Sequence, residues 1–331
     1  MNHRISACFF PTRVLFVDDV PAYLKNLVQI LDQDTACYEI YSDPVKVLGY
    51  LSKDYKPTPL VDRIVVHSEG LRQNQRSIEV NIDAIHQEVY NADRFLEISV
   101  LAIDYSMPGL TGSEVCERLK GSPFKKMMLT SEADSKLAID LLNRKVVDQF
   151  IHKRNPDFTQ RVNQAIKKLQ KEYFANLTQL IINSLIYSKD SLKCFQENEY
   201  LDLFNTLQKE SESVEHYLLD NSGSFLFISF QGTPSYFVIR SEGDMKLAED
   251  RIQASANPSI PALEAIRRRE KLLFLRSEKA ESPSWELSTY PAKKLLTPSG
   301  VYYYSYIKEP SAFDLDISRI VSFKEHLSKQ A

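Results

Sequence analysis

I-S-V-L-A-I-D-Y-S-M-P-G-L-T-G, residues 98–112, is an apolar run that stops on an acid and breaks into a loop. Residues 98–103 have the length and β-branched content of a strand buried on both faces. Asp104 follows at once. Pro108, Gly109 and Gly112 then punctuate a loop before a helix over 113–120. The same grammar recurs on either side. R-V-L-F-V at 13–17 ends in Asp18-Asp19 and passes into a helix over 21–31, with Leu24, Leu27, Val28 and Leu31 at helical spacing. A strand over 38–41 precedes a helix from Pro44 to about Leu51. A strand over 127–129 ends at Thr130, and one over 149–152 ends at Lys153. Strands alternating with helices imply a parallel α/β sheet with right-handed crossovers. In such sheets the carboxyl ends of the strands share one edge, where ligands bind. That edge gathers Asp18, Asp19, Asp104, Thr130 and Lys153.

Three carboxylates at one place repel one another unless a cation joins them. An all-oxygen set suits a hard ion such as Mg²⁺, which keeps several waters and takes few protein carboxylates. A carboxylate beside such an ion can attack a phosphoryl group. The lysine neutralises charge on the transferring group, and a threonine hydroxyl can hold one of its oxygens. Taken singly, each residue has a plainer reading: an acidic pair after a strand as a helix cap, M-P-G as a loop, Lys153 in H-K-R as a solvated charge. Their order at successive strand ends favours the joint reading.

V-D-D at 17–19, D-Y-S-M-P-G-L-T-G at 104–112, L-T at 129–130 and the strand-terminal Lys153 resemble the receiver domains of bacterial two-component response regulators. The resemblance covers about residues 12 to 170. It implies a flavodoxin-like, five-stranded parallel sheet with Asp104 as phospho-acceptor. Asp18, Asp19 and Asp104 hold Mg²⁺ in this reading, with a backbone carbonyl assigned to Ser106. Thr130 and Lys153 contact phosphoryl oxygens, and Thr130 and Phe150 act as the switch pair. Ser106 and Glu132 fall where the family tunes loss of the phosphate. The implied partner is a sensor histidine kinase or phosphotransfer protein.

Two departures stand out. Asp19 and Asp104 are 85 positions apart, more than receivers need. The excess, about residues 55–95, reads as an insertion beside the receiver's sheet, with a strand over 64–67 and an acidic amphipathic helix over 78–89 that puts Ile82, Ile85 and Val89 on one face. After Lys153 the order is Lys-Arg-Asn-Pro, with proline at 156 rather than directly after the lysine.

From 156 to about 188 there is no glycine and no internal proline, so one long helix is expected. Val162, Ile166, Leu169, Tyr173, Asn176 and Leu180 form a heptad-like stripe. The stripe serves either a homodimer through the 156–188 helix or a helix folded onto its own chain. The expected organisation is therefore a receiver over 1–155, a connecting helical region over 156–211 and an output domain over 212–331.

In the output domain, β-rich runs at 214–219, 225–230 and 235–240 are separated by D-N-S-G and Q-G-T-P, which is the turn chemistry of an antiparallel meander. Helices over 242–254 and 261–271 and strands over 272–275 and 301–307 complete an α+β domain whose hairpin texture is loosely similar to PAS-type sensory domains. Arg267–Arg269 read as a solvated helix face, His216 as structural, and Trp285 and Tyr302–Tyr304 as core.

The 331 residues carry 43% hydrophobic and 26% charged side chains, as two ordinary soluble domains do. The net charge of −3 gives no electrostatic case for nucleic acid or an anionic membrane. Cys8, Cys37, Cys116 and Cys194 are scattered, which fits reduced thiols and a cytoplasmic setting. The expected function is a response regulator that signals through a C-terminal sensing or interaction domain, toward a downstream protein or ligand the sequence does not name. The alternative is an enzyme whose C-terminal catalysis the receiver controls; the sequence leaves this open, since that half carries no enzyme motif.

Overall fold

The computed structural model describes residues 5–56, 58, 60–69, 76–131, 135–188, 194–275, 284–308 and 315–329. In chain order the first elements are β1 (Cys8–Phe9), β2 (Thr12–Val17), α1 (Pro21–Ile30), β3 (Ala36–Tyr41) and α2 (Pro44–Gly49), which runs into a π-helical turn, Tyr50–Asp54. Then come α3 (Leu60–Ile64), β4 (Val65–Glu69), β5 (Arg76–Val80) and α4 (Ile82–Gln87). The segment β6 (Ile98–Asp104), α5 (Gly112–Arg118), β7 (Lys125–Thr130), α6 (Ser135–Asn143) and β8 (Gln149–His152) leads into α7 (Phe158–Ser188). The C-terminal residues form α8 (Asn198–Glu210), β9 (Ser213–Leu218), β10 (Phe225–Ser229), β11 (Pro234–Ser241), α9 (Glu242–Gln253) and α10 (Ile260–Arg267). They finish with β12 (Lys271–Leu273), β13 (Thr289–Pro291), β14 (Lys293–Thr297), β15 (Gly300–Ile307) and α11 (Phe323–Ser328).

These elements divide into two compact units. One comprises Phe10–Leu60 and Ala92–Leu177. Its five parallel strands lie in the order β3-β2-β6-β7-β8, the parallel α/β sheet expected from the alternation of strands and helices and the flavodoxin-like order that the resemblance implies. β6 runs at the centre and all seven of its residues are buried, which is why it reads as a continuous apolar run. Val14, Phe16, Val100, Ala102, Met127 and Leu129 from the strands pack with Leu24 and Leu27 of α1 and with Val162, Ala165, Ile166 and Leu169 of α7.

That packing decides what the stripe on α7 does over its first half. Val162, Ile166, Leu169 and Tyr173 are buried within the chain's own core, so this stretch does not supply a coil seam for a second copy. A buried polar network fastens the same helix. Gln170 Nε2 donates to Thr12 Oγ1 at 2.9 Å and to the Thr35 carbonyl at 3.3 Å, Thr12 and Ser99 share a hydroxyl hydrogen bond, and Tyr173 donates to a Glu97 carboxylate oxygen at 2.5 Å.

The other unit comprises Met1–Phe9, Val61–Asn91 and Thr178–Lys329. Its main sheet is antiparallel, in the order β1-β9-β10-β11-β15-β14. The expected meander is present as β9, β10 and β11. His216 sits among the rings of Phe9, Phe204 and Phe225, and Trp285 is buried with its indole N–H on the Asn257 carbonyl, so both are packing residues. Arg269, expected on a solvated face, is instead ion-paired to Glu242 and Glu249 of α9.

Residues 61–91, expected beside the parallel sheet, group with this second unit. Within it β4 and β5 form an antiparallel hairpin, and α4 begins only after Asn81, whose side chain caps it. The helix expected over 78–89 is therefore shorter, because S-I-E-V at 77–80 pairs as strand. Ile85 and Val89 are fully buried, α4 packs against β9, and the Tyr90 hydroxyl accepts the Asp316 amide at 2.9 Å with Arg319 over its ring. Ile85→Ala is expected to cost about 2–5 kcal/mol, the usual figure for truncating a buried isoleucine. Hydrogen exchange should show the loss as faster amide exchange in β9–β11 with β2, β6 and β7 unchanged. Faster exchange in the parallel sheet instead would contradict the grouping.

Candidate functional site

β2, β6, β7 and β8 run parallel and end at one edge, and each delivers a side chain there. The register pairs Val17 with Ile103, Asp104 with Leu129 and Thr130 with His152. One residue beyond these ends stand Asp18 on β2 and Lys153 on β8, with Asp104 closing β6 and Thr130 closing β7. The Lys153 amide donates to the Thr130 carbonyl at 2.8 Å, and the Tyr105 amide donates to the Leu129 carbonyl at 3.0 Å, which ties neighbouring strand ends together.

Lys153 Nζ lies 2.5 Å from Asp18 Oδ2 and 2.5 Å from Asp104 Oδ1. Both carboxylates are almost wholly buried, with 4% and 8% of their side chains exposed. Their remaining oxygens are held by the backbone. The Val20 amide donates to Asp18 Oδ1 at 2.9 Å, and the Ser106 amide donates to Asp104 Oδ2 at 2.8 Å. Two buried anions thus share one ammonium and two amide donors. Burial raises the pKa of Asp104, and the Asp18 charge adds to this, while the hydrogen bond and charge of Lys153 and the Ser106 amide oppose it. For Lys153, burial works against the charged form, but the hydrogen bonds and charges of Asp104 and Asp18 outweigh it and raise the pKa.

The loop after Asp104 closes back on the strand. The Gly112 amide donates to the Tyr105 carbonyl at 3.0 Å, and a Cβ placed on Gly112 would stand 2.0 Å from the Asp104 carbonyl oxygen. Only glycine fits there, so Gly112 sets where α5 begins and how tightly the loop covers the acid. Thr111 and Glu114 then form a capping box.

Of the residues expected here, Asp18, Asp104, Lys153 and the backbone of Ser106 and Thr130 meet at this edge. Asp19 follows Asp18 and is exposed. Phe150 faces away from Ile151 on the outer strand β8 and lines a cavity of about 220 Å³ with Gln149, Ala165 and Lys168. Glu132 lies outside the described residues. Two residues were missed by reading the sequence. Gly112 registers there only as loop punctuation. Tyr23, in the first turn of α1, places its ring under Lys153 Nζ at 4.6 Å; the signal was its position four residues after Asp19, where a helical side chain leans back over the preceding strand end.

The donor chemistry fits a hard cation. Every acidic oxygen at the edge is a carboxylate, and one ammonium leaves the pair with excess negative charge. Among the described residues no three acidic, histidine or cysteine side chains converge on one point. Asp18 and Asp104 would be free to hold such a cation once they turn from the ammonium, with the exposed Asp19 the next carboxylate along the chain.

Over its whole length the chain is similar to the Legionella pneumophila response regulator LqsR, at 30% sequence identity and a TM-score of 0.80, covering 99% of this chain and 96% of that one. The chain belongs to the response regulator family. A CheY-like receiver domain protein from Methanospirillum hungatei also matches, at 20% identity over 49% of this chain and 98% of that one with a TM-score of 0.31. A receiver domain protein from Clostridium thermocellum matches at 18% identity over 49% and 95%, with a TM-score of 0.30. At such scores these two add nothing to the assignment. No protein-family model matches the sequence, and no curated protein does. Among the described residues, no helix of the response regulator is long and apolar enough to cross a membrane.

The raised pKa of Asp104 carries a sign. Its stabilising contribution is fully present below the ordinary value of 3.8 and is lost as pH rises through the higher folded-state value. Lys153, raised in turn, keeps its charge until pH passes beyond 10.5. Asp104→Asn is therefore expected to raise the melting temperature of the metal-free protein at pH 7, with the gain shrinking as pH falls toward 3.8. A variant that melts lower than wild type at pH 7 would contradict this electrostatic balance.

Proposed function

We propose that this response regulator receives a phosphoryl group on Asp104 and passes the resulting change to its C-terminal unit, which acts as a sensing or protein-interaction domain. The observation that supports it is the pair of buried strand-end carboxylates, Asp18 and Asp104, held by one ammonium at the carboxyl edge of a parallel sheet. Nothing in ordinary folding favours such a pair, since two buried anions cost more than apolar residues of the same size.

Asp104 is the nucleophile. A carboxylate oxygen attacks phosphorus in line, the P–O bond of an acyl phosphate or the P–N bond of a phosphohistidine breaks, and an acyl phosphate forms on Asp104. The donor is a sensor histidine kinase or a phosphotransfer protein. When bound, Mg²⁺ supplies charge neutralisation for the transferring group. Lys153 stands 2.5 Å from the attacking carboxylate and stabilises negative charge on the phosphoryl oxygens. Thr130, at the end of β7, offers a hydroxyl to the same group. The Ser106 amide, 2.8 Å from Asp104 Oδ2, keeps the carboxylate oriented, and the Ser106 carbonyl would add an oxygen to the set that holds the metal. Thr130 and Phe150 relay the change, and Ser106 with Glu132 sets how long the phosphate survives. The setting is the cytoplasm, where the scattered cysteines remain thiols.

The test is reaction with acetyl phosphate and Mg²⁺, read by intact mass. Wild type is expected to gain one phosphoryl group, while Asp104→Asn, which keeps the volume and removes the nucleophile, gains none. Equal modification of both would place the acceptor elsewhere, and modification of neither would remove the phospho-acceptor reading.

A further inference from the structure

Lys153 has a neighbour that the carboxylates do not explain. Tyr23 lies in the first turn of α1, directly after the acidic pair that ends β2, and its ring centroid is 4.6 Å from Lys153 Nζ. The ammonium is thus enclosed by Asp18 Oδ2 and Asp104 Oδ1 and by the ring of Tyr23. Aromatic faces attract cations through their quadrupole, and the attraction strengthens where water is excluded. The Tyr23 hydroxyl oxygen is buried and makes no hydrogen bond among the described residues, so nothing polar accounts for a tyrosine there. Burial, more than any other influence, pushes that hydroxyl's pKa up to about 12, and it stays neutral throughout the working range.

We propose that Tyr23 is a positioning residue for Lys153, holding the ammonium in the pocket through its ring face when the carboxylates turn to a metal ion. The inference rests on the phospho-acceptor reading of Asp104. In the metal-free arrangement two anions hold Lys153, and the ring is redundant. Once Asp18 and Asp104 direct their oxygens to a cation, both ion pairs weaken together. A lysine side chain has four rotatable bonds and a strongly hydrated head, so it moves out to water unless something else retains it. The ring retains it without offering a negative charge. It therefore does not compete for the metal, and it leaves all three ammonium protons free for an incoming phosphoryl group. An aliphatic residue of similar bulk would fill the space and lose the attraction.

The full-length protein and its Tyr23→Phe and Tyr23→Leu variants separate the ring from the hydroxyl and from simple packing. Phosphorylation by acetyl phosphate at saturating Mg²⁺ is expected to stay within about twofold of wild type for Tyr23→Phe and to slow about thirtyfold for Tyr23→Leu, the factor a desolvated cation–π contact corresponds to. Calorimetric Mg²⁺ affinity is expected to be equal in wild type and Tyr23→Phe and to fall by no more than the same factor in Tyr23→Leu, since the ring is not a ligand and acts on the metal only through the lysine. Tyr23→Leu reacting like wild type would overturn the proposal. So would Tyr23→Phe slowing as much as Tyr23→Leu, which would make the hydroxyl the acting group, or a loss of Mg²⁺ affinity in Tyr23→Leu far beyond the factor lost in rate, which would mean the pocket had collapsed. A second readout stands apart from phosphorylation. In protein with isotope-labelled lysine, the ε-methylene protons of Lys153 should resonate upfield in wild type and Tyr23→Phe and return to the ordinary position in Tyr23→Leu. If wild type takes no phosphoryl group, the phospho-acceptor reading fails while this shift still decides the contact; its absence in wild type overturns the positioning claim itself.

Discussion

Two carboxylates cannot both stay ionised side by side in a buried site without a cation, and in this protein the cation is Lys153. Asp18 comes from the end of β2 and Asp104 from the end of β6, adjacent strands at the centre of the parallel sheet. The lysine comes from the far edge, beyond β8, and reaches across the end of β7 to meet them. The site therefore exists only when four strands are paired in the correct order and register. Removing the shared ammonium from such a buried set is the costly change, typically about 3–5 kcal/mol, because both carboxylates are then left without compensation, whereas removing one of the two like charges relieves repulsion and leaves a paired lysine. On the proposed reading the same imbalance would favour a further cation, since one ammonium against two anions still leaves negative charge.

The sheet and the residues at its carboxyl edge were legible because burial on both faces forces β2 and β6 into short apolar runs, and the chain announces its exit from the sheet with an acid. The edge residues are the first polar ones after each run, so their positions could be read directly. The features that the sequence did not display depend on distant partners. Cys8–Phe9 are two residues long and become a strand only by pairing with Tyr217 and His216. S-I-E-V at 77–80 suits a helix face as well as a strand, and only the pairing with β4 settles it. Tyr23 looked like one more residue of an amphipathic helix, and its value lies in a lysine that is 130 positions away.

The long helix α7 shows how periodicity states a fact without naming its partner. The spacing of Val162, Ile166, Leu169 and Tyr173 marks a buried stripe in either a coil or a folded-back helix. Gln170, Thr12 and Ser99 on the buried side belong to a polar network within one chain, which a dimer seam would not need. Residues up to Leu177 group with the parallel sheet and those from Thr178 with the antiparallel one, as do the segments on either side of Leu60–Val61 and Asn91–Ala92. The chain thus passes between its two units more than once, and neither unit is a continuous stretch of sequence.

The central claim is that Lys153 acts as the counter-ion of an acidic pair that can also take a metal. Thermal melting of wild type and Lys153→Met, each in chelator and in saturating Mg²⁺, tests it most directly. The charge balance requires the variant to melt several degrees below wild type in chelator, and Mg²⁺ to close most of that gap by replacing the missing cation at the same carboxylates. A gap of the same size in both conditions, or no gap in chelator, would contradict it.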